Sequence, residues 1–177
     1  MEEHPISTRE RITMPRREPG GARHPMTIER IFIRAATAGV QAECEQVVVV
    51  AKAGIEGDRY FGSHDEPGQN ITLVEAEEIE AFIREHGLPH DLSLTRRNLI
   101  TRGIRLGELV DREFMIGNVR LRGVELCEPC LSFGNAVASA KLPAAAVVRH
   151  FVHRAGLRAN VLSSGVITRG AKLTHAA

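Results

Sequence analysis

Apolar and polar residues alternate in short runs along this chain more often than they recur at helical spacing. The clearest run begins at Val119. Val119, Leu121, Gly123 and Glu125 fall on one side of a two-residue period and Arg120, Arg122, Val124 and Leu126 on the other, with Gly117 and Pro129 punctuating the ends. That pattern predicts a strand. It runs directly into Cys127-Glu128-Pro129-Cys130, which places two thiols where a strand breaks into a loop. Further strands are predicted at 28–33, 70–74, 94–101, 157–162 and 166–168. An unbroken β-branched run at 47–50 suggests a strand covered on both faces. Residues 114–116 join the Val119 strand through Gly117-Asn118, a two-residue hairpin signal. Residues 35–43 read as a loop of small residues, and three glycines among residues 54–62 as tight turns.

Helical spacing appears twice. Thr72 and Glu75 have capping-box spacing, and Ala76, Ile79, Phe82 and Ile83 form one apolar arc before Gly87 and Pro89 stop the helix. Its glutamates, Glu77, Glu78, Glu80 and Glu85, read as a solvated face. A second helix starts near Pro143 and carries Ala144, Val147, Val148, Phe151 and Val152 on its apolar arc, with His150, His153 and Arg154 off it. Many short strands, glycine turns and few helices predict a mainly β fold with a few helices, built as a small barrel or curved sheet.

Composition narrows the function. Lysine plus arginine (23) nearly cancels aspartate plus glutamate (22), so no overall basic field favours nucleic acid. With six Phe, one Tyr and no Trp, a base-stacking platform is not expected either. Three cysteines argue against a disulfide scaffold and for a reducing compartment. No apolar run approaches the roughly 18 residues of a membrane span, so a cytoplasmic protein without membrane contact is expected. Residues 1–26, rich in proline, glycine and charge, read as a flexible N-terminal arm, and 27–177 as the folded domain.

Four readings of the cysteines stay open on the residues alone. Cys127 is a core residue and Cys130 an incidental thiol; or Cys127, Cys130, His150 and His153 bind zinc in a stabilised binding module. Alternatively the two thiols form a redox pair, or a thiolate ligates a soft metal or carries sulfur. Arginines favour the last reading. Arg59, Arg97 and Arg158 each sit at a strand end or tight turn and together suit an anionic ligand, because guanidinium pairs with phosphate through two parallel hydrogen bonds. Arg96 and Arg97, adjacent in the strand predicted over 94–101, point to opposite faces, so at most one of them can face a given pocket.

Five motifs then appear in register: Gly54-x-x-Gly57-Asp58-Arg59-Tyr60, Ile71-Thr72-Leu73-Val74-Glu75, Arg97-Asn98-Leu99-Ile100-Thr101-x-Gly103, Leu126-Cys127-Glu128-Pro129-Cys130 and Gly156-Leu157-Arg158-Ala159-Asn160-Val161-Leu162. Over about residues 27–173 the chain resembles the MOSC domain, named for the C-terminal domain of molybdenum-cofactor sulfurase. The resemblance implies a β-rich, barrel-like domain whose cysteine handles sulfur and molybdenum chemistry of a molybdopterin-type cofactor. Cys130 matches that cysteine, as catalytic residue and molybdenum ligand, and Cys127 an additional one found in short members. Asp58, Arg59, Arg97, Asn98, Arg158 and Asn160 match cofactor-facing positions. The implied activity is a molybdenum-cofactor-dependent oxidoreductase acting on a small sulfur- or N-oxygenated substrate, or a sulfurtransferase-like function, with carbon–sulfur lyase chemistry as another thiol-based alternative. These 177 residues contain no pyridoxal-phosphate aminotransferase-like domain and no separate N-terminal barrel. A sulfur-donor or electron-donor protein is therefore the expected partner.

Overall fold

The structure, a computed structural model, describes residues 25–35, 39–63 and 70–175. The predicted N-terminal arm lies almost wholly outside these residues. The strands are β1 (Thr27–Ile33), β2 (Ala42–Cys44), β3 (Gln46–Val50), β4 (Gly54–Ile55), β5 (Ile71–Glu75) and β6 (Leu99–Arg102). They continue with β7 (Glu113–Ile116), β8 (Val119–Leu126), β9 (Leu157–Val161), β10 (Gly165–Thr168) and β11 (Leu173–His175). The helices are α1 (Ala76–His86), α2 (Leu131–Val137) and α3 (Ala144–Phe151).

Eight strands form one sheet in the order β11-β7-β8-β9-β5-β6-β1-β2, and β10-β3-β4 form a second. The large sheet curls so that the start of β1, next to the β2 edge, comes back to the β11 edge. Thr27 at the start of β1 bridges Lys172 beside β11, and Leu173 N–H donates to Met26 O (2.8 Å). The expected mainly β, barrel-like fold is thus a curled half-barrel. Among the named strands only β5 and β6 pair in parallel, as the crossover through α1 requires.

The alternation read at Val119 holds as far as Gly123, with Val119, Leu121 and Gly123 buried and Arg120 and Arg122 facing solvent; a register shift between Gly123 and Glu125 then breaks it and leaves Glu125 exposed. Ile31, Val49, Leu73, Leu99, Phe114, Leu121 and Leu157 belong to the apolar core that fills the curl. The predicted helical arc of α1 is also buried, with Ala76, Ile79, Phe82 and Ile83 turned inward and Gly87 closing the helix at φ 62°.

Several expectations are corrected. Val48 in β3 is 43% exposed, so that strand has one wet face. The 35–43 loop gives way to β2, a short edge strand paired with β1. Thr72 does not cap α1, whose N-cap is Glu75 without a side-chain cap, because Thr72 already lies in β5 and bonds Asn98. The strand expected over 94–101 starts only at Leu99. The glutamates of α1 are not simply solvated: Glu77 accepts from Gly103 N–H (2.9 Å), Glu78 pairs with Arg105 (2.7 Å), and Glu80 pairs with Arg102. Only Glu85 among them has a mostly exposed side chain.

Candidate functional site

A single pocket gathers most of the predicted ligand-binding residues. Its wall includes Asp58 and Arg59 from the turn after β4, Arg97 and Asn98 from the segment before β6, and Arg158 from β9. Arg34, Gln41, Tyr60, Thr72 and Arg96 complete it. Among the described residues, five guanidiniums and one carboxylate therefore line the pocket. Such a field selects an anion.

Asp58 and Asn98 build this wall. Asp58 Oδ2 accepts from Arg34 N–H (3.1 Å) and Asn98 Nδ2 (3.2 Å), while its Oδ1 accepts from Tyr60 N–H (3.1 Å). Asn98 Oδ1 accepts from Thr72 N–H (3.1 Å) and Thr72 Oγ1 (2.9 Å). Asn98 Nδ2 also donates to Phe32 O (3.3 Å). Both residues are buried, so these bonds offset their desolvation. They lock the glycine-rich turn onto β1, β5 and the approach to β6, and so set where the arginines stand.

The arginines are held from behind. Arg97 Nε donates to Ala155 O (2.8 Å), and Gln41 Nε2 donates to Arg97 O (2.8 Å). The Arg59 guanidinium lies 4.3 Å from the centre of the Tyr60 ring, a cation–π contact. Arg158 stands opposite Thr72 of β5 and near Glu125 of β8, with 3.6 Å between Arg158 Nη1 and Glu125 Oε1. Arg96 corrects the expectation that only one of two adjacent arginines can reach a pocket. Arg96 sits in the left-handed region at φ 57°, after a turn closed by Arg96 N–H to Ser93 O (2.8 Å), so strand alternation does not apply and both line the cavity. Arg34, Gln41, Tyr60 and Thr72 were missed as pocket residues; Tyr60 and Thr72 lie inside motifs quoted for other residues, whereas Gln41 sits in the unpatterned segment before β2. Asn160 is in β9 opposite Arg122 and does not line the pocket.

The two strand-end thiols differ sharply. Cys127 is buried at 1% exposure, in an apolar cluster with Phe82, Phe133 and Phe151, and its N–H donates to Gly156 O (2.8 Å). Burial pushes its thiol above the ordinary value, against the opposing pull of Arg97 and Arg158, with Arg158 also hydrogen-bonded to it. Cys130 is exposed, at the residue preceding α2, and stands outside the pocket wall.

The four donors expected to hold zinc do not gather. Among the described residues, the one cluster of three or more potential ligands within 4.8 Å of one another is Glu85, His86 and His150. His153 follows the end of α3 at φ 60°, and its Nδ1 lies 2.7 Å from Glu128 Oε1. His150 instead faces Phe82 and Glu85, and burial lowers its pKa below the usual imidazole value.

Fold and site together define a small curled β domain with an arginine-lined pocket and a Cys-x-x-Cys that follows β8. The sequence profile of the MOSC domain matches residues 61–174, more than half of the chain, and the chain belongs to this family. The family is one associated with molybdenum-cofactor proteins. Its fold is similar to that of the YuaD protein from Bacillus subtilis, at TM-score 0.73 and 21% identity, covering 85% of this chain and 94% of that one. It is also similar to YiiM from Geobacillus stearothermophilus, at TM-score 0.66 and 17% identity over 86% of this chain and 76% of that one. YiiM from Escherichia coli gives TM-score 0.57 and 16% identity over 86% and 71%. Comparison with curated protein sequences returns no match.

Proposed function

We propose that this domain binds a molybdopterin-type cofactor through its phosphate and uses Cys130 as the thiolate that ligates molybdenum or carries sulfur. The observation that supports the reading is the convergence of Arg34, Arg59, Arg96, Arg97 and Arg158 on one pocket. The one lining carboxylate among the described residues, Asp58, is already bonded to Arg34 N–H, Tyr60 N–H and Asn98. The donor chemistry fits a phosphate, since charge-assisted bonds from several fixed guanidiniums are stronger and more selective than those of a mobile surface lysine.

Arg97 and Arg158 are the primary phosphate ligands, with Arg59 steadied against Tyr60 beside them. The cofactor, when bound, supplies a molybdenum centre able to exchange oxygen or sulfur. Cys130 is exposed and follows, three residues on, the buried Cys127 whose ionisation feels Arg97 and Arg158, so the chain carries a soft donor or nucleophile close in sequence to the pocket arginines' neighbour. Cys127 takes the opposite part. Protonated and buried, it packs the shelf behind Arg97 and Arg158. A sulfur- or electron-donor protein completes the cycle, and the substrate class that suits the centre is a small sulfur- or N-oxygenated molecule.

The test is anaerobic purification from a host that makes molybdenum cofactor, with elemental analysis and intact mass on the parent protein, Cys130→Ser and Cys127→Ser. The expected result is molybdenum, or one added sulfur atom, in the parent and in Cys127→Ser but absent from Cys130→Ser. A Cys130→Ser protein that keeps both in full overturns the assignment.

A further inference from the structure

On the side of the molecule formed by α1 and α3, two imidazoles and a carboxylate meet at the surface of an aromatic cluster. Glu85 Oε2 lies 3.1 Å from His150 Nδ1, and Glu85 Oε1 lies 3.8 Å from His86 Nε2. The carboxylate thus straddles the two rings. Phe82 fixes both, with ring centres 4.6 Å from His86 and 4.9 Å from His150, and Phe151 lies 5.1 Å from His150. The His150 side chain is only 9% exposed, whereas that of Glu85 is 60% exposed, so the cluster is anchored inside and open outside.

The hydrogen bonding of His150 is incomplete in either neutral form. Its Nε2 is buried and has no hydrogen-bond partner. If Nδ1 carries the proton and donates to Glu85, Nε2 is a bare lone pair enclosed by aromatic rings with no donor to meet it. If Nε2 carries the proton, its N–H can rest against a ring face, but the Nδ1 lone pair then faces carboxylate oxygen at hydrogen-bond distance with nothing between them. A cation between Nδ1 and the carboxylate removes both mismatches. Imidazolium would do so too, at the cost of charging a ring that is nine-tenths buried.

We propose that Glu85, His86 and His150 form a binding site for a divalent transition-metal ion of the zinc class. Two imidazole nitrogens and one carboxylate suit zinc and its neighbours, and leave a coordination position open toward solvent. The ion joins the last turn of α1 to α3. Phe82 and Phe151, which pack on these histidines, share an apolar cluster with Cys127. Metal binding therefore stiffens the shelf behind the anion pocket without entering it, and the inference stands independently of the cofactor assigned above.

Chelator-treated full-length protein, titrated calorimetrically with zinc and spectroscopically with cobalt, tests this. The expected result is one ion per chain, a cobalt spectrum without a thiolate charge-transfer band, and a rise in thermal midpoint on zinc addition. Zinc affinity falls in His86→Gln and Glu85→Gln by at least the roughly tenfold that losing even an outer-shell partner costs. Both variants replace partly exposed side chains, so the fold is expected to persist, and unchanged far-ultraviolet circular dichroism checks that. No binding, a thiolate band pointing to the cysteines, or full affinity retained in both variants overturns the proposal.

Discussion

Cys127 and Cys130 are three residues apart and live in different solvents. One is sealed beneath Phe133 and Phe151, where the neutral thiol is favoured even with Arg97 and Arg158 close by; the other is exposed at the start of α2. Because the thiolate is the reactive form, burial suppresses Cys127 through both access and ionisation. In a time course of iodoacetamide labelling at neutral pH, read by peptide mass, Cys130 is expected to react readily and Cys127 only after unfolding. Comparable rates at the two positions would show that the shelf opens and that the division of roles is wrong. The sequence singled out both thiols and Arg59, Arg97 and Arg158 by residue type and by their places at strand ends or tight turns, whereas Asp58 and Asn98 entered only through the family resemblance. Arg96 was hidden, as were Arg34, Gln41, Tyr60 and Thr72. A left-handed residue with an ordinary side chain leaves no trace in a two-residue period, and alternation does not hold in the turn that carries Arg96. Asn160 shows the converse: it shares a strand face with Arg158, but one repeat further along β9 carries it past the pocket.

At the scale of elements, the junction between α3 and β9 is where fold and site depend most on one position. Gly156 has φ +104°, and a Cβ there would lie 1.9 Å from Leu73 O, a backbone atom of β5 that cannot move without the sheet. Its carbonyl accepts the Cys127 N–H, and the neighbouring Ala155 carbonyl holds Arg97. Gly156→Ala is therefore expected to cost about 3–5 kcal/mol, the upper end for a single substitution, and to disturb the pocket as well. Gly57→Ala is the control. That residue also has positive φ (+79°), but nothing lies within 4 Å of the added Cβ, so about 1–2 kcal/mol of backbone strain is expected. Urea unfolding of both variants separates the two terms; equal losses would mean that the close approach to Leu73 carries no weight. Elements with a long apolar period, α1 and β8, were readable from sequence. The edge strands β2 and β11, three residues each, were not, because a segment so short shows no period and is defined by the partner it meets. Gly134 inside α2 is there for packing: a Cβ would lie 2.8 Å from Ala144 O and 2.9 Å from Val148 Cγ2 of α3.

For the molecule as a whole, the curl of the eight-stranded sheet explains why residues distant in sequence form one site. Bringing Thr27 to Lys172 closes the fold, while Asp58 and Asn98 tie the glycine turn to β1 and β5, so that arginines numbered from 34 to 158 converge. None of the helices among the described residues is long and apolar enough to cross a membrane. Convergence of guanidiniums is unfavourable without a counter-charge, which makes ligand occupancy and pocket arginines two sides of one claim. The decisive measurement is the molybdenum and pterin content of protein purified from a host that makes molybdenum cofactor, for the parent and for Arg59→Ala/Arg97→Ala. The parent is expected to carry both, and the double variant, with unchanged far-ultraviolet circular dichroism, to lose most of its occupancy, because removal of two charge-assisted contacts of about 1.5–3 kcal/mol each weakens binding at least ~100-fold. A parent protein free of both, from cells that load another molybdenum protein normally, or a double variant as full as the parent, would contradict the account.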